Sequence, residues 1–170
     1  MKKIALFLCA VMLFGTVFAQ SKKKMDKETM EWRYEIEPAV GQGAQGTYLV
    51  KVWSYAKKAD KATAQAPKNA VHGILFKGYA AYNSGNVRIA GQKPLVTDPA
   101  IETQNEDFFN DFFADGGPYS KFVTLVGNGA TDIIKVGKEV KVGVVVSVQK
   151  DALRKYLEDA KIIKSMNSIF

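Results

Sequence analysis

Valine at every second position near the end of the chain constrains the fold more than any other feature. The repeat consists of Val140, Val142, Val144, Val146 and Val148. Lys141, Gly143 and Ser147 occupy positions between these valines. Successive side chains of a β-strand point to opposite faces of the sheet, so this period indicates a strand with one well-buried face. We expect this strand to be central in a sheet.

A pair of strands is predicted near the start of the folded region. Residues 32–37 alternate between apolar and charged side chains, which is typical of a half-buried strand. Residues 47–55 are rich in β-branched and aromatic side chains, and the glycine-rich segment 41–46 separates the two runs. The sequence therefore predicts a β-hairpin.

Helical spacing appears in three places. Ala62, Ala66, Ala70 and Ile74 recur every four residues, which predicts a helix within residues 58–78 that begins or kinks near Pro67. A second helix is expected to end near Asp115 and has two candidate starts, the Asp98-Pro99 pair and the capping box Thr103-x-x-Glu106. A third helix begins with Asp151 as its cap. Two further short strands, 122–126 and 132–136, flank Gly127-Asn128-Gly129, and residues 79–98 are interpreted as a long surface connection. Together these elements predict an α+β fold, with a mostly antiparallel sheet of about four to five strands and three helices packed mainly on one face.

The first residues have the order of a secretory signal. Met1-Lys2-Lys3 precedes the apolar run Ile4–Phe14, and Ala19-Gln20 is the expected cleavage site. The span Ile4–Ala19 covers 16 residues, fewer than the ~20 that a membrane-spanning helix needs. We therefore predict a cleavable signal peptide at 1–19, a basic flexible leader at 20–31 and a single α+β domain at 32–170. The localisation that follows is periplasmic or extracellular, with possible envelope association and no transmembrane segment after signal removal.

Charge and cysteine content restrict the chemistry of the mature protein. The net charge is +7, and loss of Lys2 and Lys3 lowers it to about +5. Cys9 is the only cysteine and leaves with the signal, so no disulfide framework is available. Export argues against nucleic acid as a partner. We expect another envelope protein or an anionic envelope component instead.

One formal match to a cofactor motif is present. The glycines of Gly41-x-Gly43-x-x-Gly46 follow a predicted strand, as a dinucleotide fingerprint requires. That motif must open a helix whose N-terminal amides bind a pyrophosphate, whereas Thr47-Tyr48-Leu49-Val50 reads as a strand. No cofactor is therefore predicted.

Catalytic and metal-binding sets are equally sparse in the sequence. His72 is the only histidine and is interpreted as a helix-surface residue, without an evident nucleophile or orienting acid beside it. The acidic run contains Glu102, Glu106, Asp107, Asp111 and Asp115. It does not follow the rule of a calcium-binding EF-hand loop and is interpreted as a solvated helix face. We predict no catalytic residue and no metal ligand.

Paired phenylalanines form the most informative cluster. Phe108, Phe109, Phe112 and Phe113 lie on adjoining faces of one predicted helix. A wide buried stripe is favoured, because aromatic side chains dominate cores. If both faces cannot be buried, the remainder forms an apolar face for a partner or ligand.

These observations favour an exported, non-catalytic structural or interaction module of the cell envelope. The first alternative is a periplasmic or surface protein that binds a lipid or another apolar ligand. The second alternative is a hydrolase of unknown substrate.

Overall fold

The sheet is built around the predicted valine strand. The computed structural model describes residues 31–41 and 43–165. The predicted signal peptide and nearly all of the predicted leader lie outside the described residues, so the three-part division of the chain stays a prediction. The described elements, in chain order, are β1 (Tyr34–Pro38), β2 (Tyr48–Ala56), α1 (Ala59–His72), a π-helical segment (Gly73–Lys77), β3 (Tyr82–Ser84), β4 (Val87–Ile89), α2 (Ala100–Gln104), α3 (Glu106–Phe112), a 3-10 helical turn (Pro118–Phe122), β5 (Val123–Val136), β6 (Glu139–Val148) and α4 (Lys150–Asp159).

The α+β class is confirmed. Four strands form an antiparallel sheet in the order β1-β2-β6-β5, and β3 pairs with β4 in a separate small hairpin. β6 is central, as the valine period predicts, and β1 and β2 form the predicted hairpin. The glycine-rich segment 41–46 leads into strand β2 and not into a helix.

One face of the sheet carries the core. In β2 and β6 the residues with even numbers point to this face, and Val50, Val52, Val142, Val144 and Val146 are fully buried there. Helix α1 lies across β2, β6 and β5 on the same side. Its small residues Ala62, Ala66 and Ala70 are also fully buried, because alanine lets a helix approach a sheet closely.

Several local predictions differ from the structure. The segment expected to form one helix between residues 98 and 115 contains two, α2 and α3, which break at Asn105, where the backbone leaves the helical region (φ −120°). Helix α4 is preceded by Gln149 as its cap, not Asp151. The two strands expected at 122–126 and 132–136 form the single strand β5, and the expected connection 79–98 contains β3 and β4.

A cluster of aromatic side chains connects the later helical elements. The Phe112 ring lies near those of Phe113, Phe122 and Tyr156, with centroids 4.9, 6.2 and 5.7 Å apart. Tyr156 belongs to α4, so this cluster joins α3, the 3-10 turn and α4. Within the described part of the chain, no helix has the length and apolar character needed to span a membrane.

Candidate functional site: the β5 edge of the sheet

Strand β5 concentrates the exposed apolar surface of the described chain. Seven large hydrophobic side chains are exposed among the described residues, and five of them belong to β5: Leu125, Val126, Ile133, Ile134 and Val136. β5 is 14 residues long and lies at one edge of the four-stranded sheet. An edge strand presents unpaired backbone N–H and C=O groups, so this strand combines apolar side chains with free pairing positions.

Two register shifts, between Leu125 and Ala130 and between Ala130 and Asp132, separate the two regularly paired parts of β5. Leu125 lies opposite Val146 and Ala130 lies opposite Val144, so four β5 residues, 126–129, correspond to the single β6 residue Val145. Gly127 and Gly129 adopt positive φ angles of 73° and 99°, which glycine tolerates without a steric penalty. The bulge leaves a regular five-residue ladder from Asp132 to Val136.

Both faces of this ladder carry apolar groups. Ile133 lies opposite Val142 and therefore faces the side of the sheet that α1 covers, yet it is 59% exposed. Ile134 lies opposite Lys141 on the other face and is 48% exposed. Three of the five ladder residues, Ile133, Ile134 and Val136, are thus apolar and exposed, on both sides of the sheet, beside the charged Asp132 and Lys135.

The outer face of the sheet has a different character. Trp53 packs over Gly143, where an added Cβ would lie 3.0 and 3.1 Å from two atoms of the indole ring. The Trp53 Nε1–H donates to Glu37 at 2.9 Å, and Lys51 Nζ lies 4.3 Å from the ring centroid. The indole is therefore fixed on both its edge and its face.

Ion pairs extend across this outer face. Lys51 Nζ lies 2.6 Å from Asp132, Lys141 Nζ lies 2.7 Å from Glu35, and Arg33 lies 2.6 Å from Glu139. Hydrogen bonds from Lys141 and from the Tyr55 hydroxyl hold the pKa of Glu35 below its usual range. Since these charges neutralise one another in pairs, the outer face resembles a solvated surface more than a docking surface.

His72 occupies a position that the sequence reasoning missed. It was expected on a helix surface, but it is only 4% exposed and joins three elements. Its Nδ1 lies 2.6 Å from the Tyr34 hydroxyl on β1, and its Nε2 lies 3.1 Å from Glu102 on α2. The alanine stripe indicated that only one face of α1 is buried, which would leave His72 at the surface. In the structure Lys68 and Asn69, outside that stripe, are buried as well.

Burial determines the charge state of this cluster. Burial, assisted by the nearby Lys77 ammonium, lowers the pKa of His72 to about 3, so the ring is neutral. Burial also raises the pKa of Glu102 and that of Tyr34. A neutral imidazole has one donor and one acceptor nitrogen. In the tautomer in which Nε2–H donates to Glu102, Nδ1 accepts a hydrogen bond from the Tyr34 hydroxyl. This chain of hydrogen bonds connects β1 and α2 to α1.

Three of the four phenylalanines at the predicted ligand face are buried. Phe109, Phe112 and Phe113 are each at most 4% exposed, and Phe108 is partly exposed. The centroid of the Phe108 ring lies 5.1 Å from that of Phe109 and 6.0 Å from that of Phe112. Their use as a partner or ligand face stays a prediction. Of the four rings, only Phe108 is exposed enough for a partner or ligand to contact it directly.

The predicted acidic run does not converge on one point in the described structure. Glu102 belongs to the His72 cluster, whereas Glu106, Asp107 and Asp111 are exposed on α3. Within residues 31–41 and 43–165, no group of three side chains is arranged to hold a metal ion.

A shallow polar depression lies at the other end of the sheet from the five-residue ladder. It has a volume of about 610 Å³ and is open to solvent. Thr47, Thr124, Ser147 and Asp151 contribute its polar lining. It has no charged cluster or deep apolar floor to select a ligand.

The β5 edge was only partly accessible to sequence reasoning. Both of its halves were predicted as strands, but their position at an edge depends on which strands pair. The adjacent residues Ile133 and Ile134 were the available signal, since two neighbouring apolar side chains on one strand cannot both face the same core.

Comparison with protein-family models, curated proteins and solved structures finds no match to this chain.

Proposed function

We propose that this protein is an exported, non-catalytic interaction module of the cell envelope and that it binds a protein partner through β5. The observation that carries the proposal is the concentration of exposed apolar side chains on one long edge strand. Proteins usually protect such edges with charges, prolines or covering elements. Residues 132–136 include the charged side chains of Asp132 and Lys135 but no proline, and among the described strands only β6 pairs with them, so their outer edge can still pair with a strand of another chain.

Export is supported by the sequence of residues 1–19, with cleavage between Ala19 and Gln20. N-terminal sequencing of the protein recovered from its native cells tests this part of the proposal. We expect a mature chain that begins at Gln20 in a periplasmic or secreted fraction. A chain that retains Met1 and fractionates with the cytoplasm would contradict export.

The interaction is tested with a double variant of the edge, Ile133→Thr with Ile134→Thr. Threonine keeps the β-branched shape and removes apolar surface, so the strand itself should persist. The matched control is Val40→Thr with Val87→Thr, which changes exposed valines outside β5. Tagged proteins are used to capture partners from envelope extract, and recovery is measured by quantitative mass spectrometry.

We expect at least one envelope protein whose recovery falls about tenfold with the β5 variant and is unchanged with the control, because the variant removes apolar contact surface. Hydrogen exchange on the purified complex should show new amide protection within residues 132–136. Identical partner recovery for the wild-type protein and the β5 variant would contradict the proposal.

A further inference from the structure

Lysine side chains surround the accessible part of β5. The register places Ala56 of β2 opposite Val140 of β6, and Val140 opposite Lys135 of β5. Lys57 and Lys58 follow Ala56 directly, and Lys138 lies in the turn between β5 and β6. All four lysines are exposed. This end of the sheet therefore gathers positive charge beside the five-residue ladder.

Neighbouring acidic groups do not cancel this charge. Asp132 lies 2.6 Å from Lys51, and Glu139 lies 2.6 Å from Arg33, so both carboxylates have basic partners outside the group of four lysines. The Lys57 charge also helps to lower the pKa of Glu139. Asp60, in the first turn of α1, adds one further negative charge. Four lysines against one such carboxylate leave an excess of positive charge at this end.

The same edge combines this charge with apolar side chains. Ile133 lies on the α1 side of the sheet, whereas Ile134 and Val136 lie on the opposite side. A strand added to the edge would also alternate its side chains between the two sides. Its apolar residues would meet these three side chains, and its acidic residues would lie within reach of the lysines.

We infer that the occupant of this edge is an extended polypeptide segment of another protein that combines β-branched or other apolar residues with acidic residues. This inference rests on the proposed function and specifies the chemistry of the partner. The segment pairs with residues 132–136 through its backbone, and its carboxylates lie beside Lys135 and Lys138.

A second copy of this chain fits the edge less well. The straight ladder is five residues long. A stable dimer buries ~800 Å² per partner, so two copies of the chain would need contacts well beyond these five residues. A second copy would also bring the same group of lysines to the contact. An acidic extended segment removes the charge conflict and needs no further surface.

The experiment uses fluorescence anisotropy with the processed, full-length mature protein and labelled ten-residue peptides. The first peptide alternates valine with glutamate, the second alternates valine with lysine, and the third is the glutamate peptide with proline at two central positions. The protein variant is Lys135→Glu with Lys138→Glu. Its matched control is Lys93→Glu with Lys164→Glu, which makes the same charge change at exposed lysines outside β5 and the turns that flank it.

We expect the glutamate peptide to bind at least about tenfold more tightly than the lysine peptide, and added salt to weaken this binding. The proline peptide should lose binding, because proline cannot donate a backbone hydrogen bond. The Lys135/Lys138 variant should bind the glutamate peptide about tenfold more weakly, whereas the control variant should match the wild-type protein.

Equal affinity for the glutamate and lysine peptides, or no effect of proline, would overturn the inference. Two further results would also overturn it: edge-dependent binding to phosphatidylglycerol vesicles without peptide binding, and an edge-dependent dimer in light scattering. If the glutamate peptide fails while the Ile133/Ile134 variant still loses its envelope partner, only the partner chemistry is wrong. If neither the Ile133/Ile134 variant nor the Lys135/Lys138 variant changes partner recovery or peptide binding, both the proposed function and this inference are wrong.

Discussion

The two edges of the main sheet differ in how they are protected. β1 is five residues long and includes Pro38, which cannot donate a backbone hydrogen bond. Its Tyr34 and Pro38 are buried, and Glu35 and Glu37 carry charge on its outer face. β5 is 14 residues long and exposes five large apolar side chains. β1 is therefore a protected edge of the sheet, whereas β5 is an edge that can still pair with another strand.

The anchoring of β1 explains this difference. Gly73 lies under β1, where an added Cβ would be 2.7 Å from Ile36 Cδ1 and 3.3 Å from Tyr34 Cε2. Tyr34 also reaches His72, and Lys77 Nζ lies 3.8 Å from the centre of the Tyr34 ring. The apolar side chains of β5 at Ile133 and Ile134 remain exposed. Substitutions should therefore affect folding mainly at β1 and binding mainly at β5.

The largest effect is expected from Gly73→Val, which places a branched side chain against Ile36 and Tyr34. Gly73 has an ordinary helical φ of −60°, so the cost arises from overpacking and not from the backbone. We expect the free energy of unfolding to fall by about 2 to 3 kcal/mol in urea denaturation. Gly73→Ala is the graded control, because Ile36 Cδ1 can rotate away. Equal stability of the valine variant and wild type would show that β1 is not anchored as described.

The second effect concerns the pH dependence of stability. The pKa of His72 is lowered in the folded protein, so the unfolded chain binds a proton between about pH 6.5 and pH 3 that the native state excludes. The free energy of unfolding therefore falls as the pH falls through this range, by up to about 1.4 kcal/mol per pH unit.

Glu102 acts in the opposite sense in the same cluster. Burial raises the pKa of Glu102, so the native state holds its proton to higher pH and loses that stabilisation as the pH rises. Urea denaturation from pH 7 to pH 5 should show a flatter slope for His72→Gln than for wild type and a steeper one for Glu102→Gln. An unchanged slope in His72→Gln would contradict a buried neutral imidazole.

A smaller effect is expected from Tyr34→Phe. The change removes the hydroxyl that lies 2.6 Å from His72 Nδ1 and should lower the free energy of unfolding by about 1 kcal/mol. Tyr55→Phe is the matched control, because its hydroxyl binds Glu35, whose side chain is 57% exposed. We expect that control to change stability less. An equal fall in the free energy of unfolding for the two variants would show that the buried Tyr34–His72 hydrogen bond stabilises β1 no more than an exposed one does.

The smallest effect on stability is expected at β5. Ile133→Thr with Ile134→Thr should change the free energy of unfolding by no more than about 0.5 kcal/mol, because both side chains are largely exposed. Ile36→Thr on β1 provides the comparison and should cost more, since Ile36 packs against Gly73. A large loss of stability in the β5 variant would remove the distinction between the two edges.

The sequence was sufficient for the features that depend on local periodicity. The alternation of valine identified β6 and its buried face, because only a strand separates neighbouring side chains onto opposite faces. The alanines at Ala62, Ala66 and Ala70 identified α1, and the strand character of residues after Gly46 excluded a helix there. These predictions needed no knowledge of neighbouring elements.

Features that depend on several elements were decided by the tertiary structure. His72 is buried because β1 and α2 pack on either side of it, and its lowered pKa follows from that burial. Asp151 satisfies the local preference of a helix cap, yet α4 begins one residue before it, and the Asp151 backbone N–H donates to the distant Gly46 carbonyl. Neither outcome has a local sequence signal.

The β5 edge combines both kinds of information. The apolar residues Ile133 and Ile134 and the lysines Lys135 and Lys138 are present in the sequence, and local composition was enough to predict strands there. Strand pairing alone decided that β5 lies at an edge, with its apolar side chains exposed and Lys57 brought to the same end of the sheet. Sequence thus determined which side chains the edge carries, whereas the order β1-β2-β6-β5 decided that they remain accessible, because pairing depends on contacts far apart in the chain.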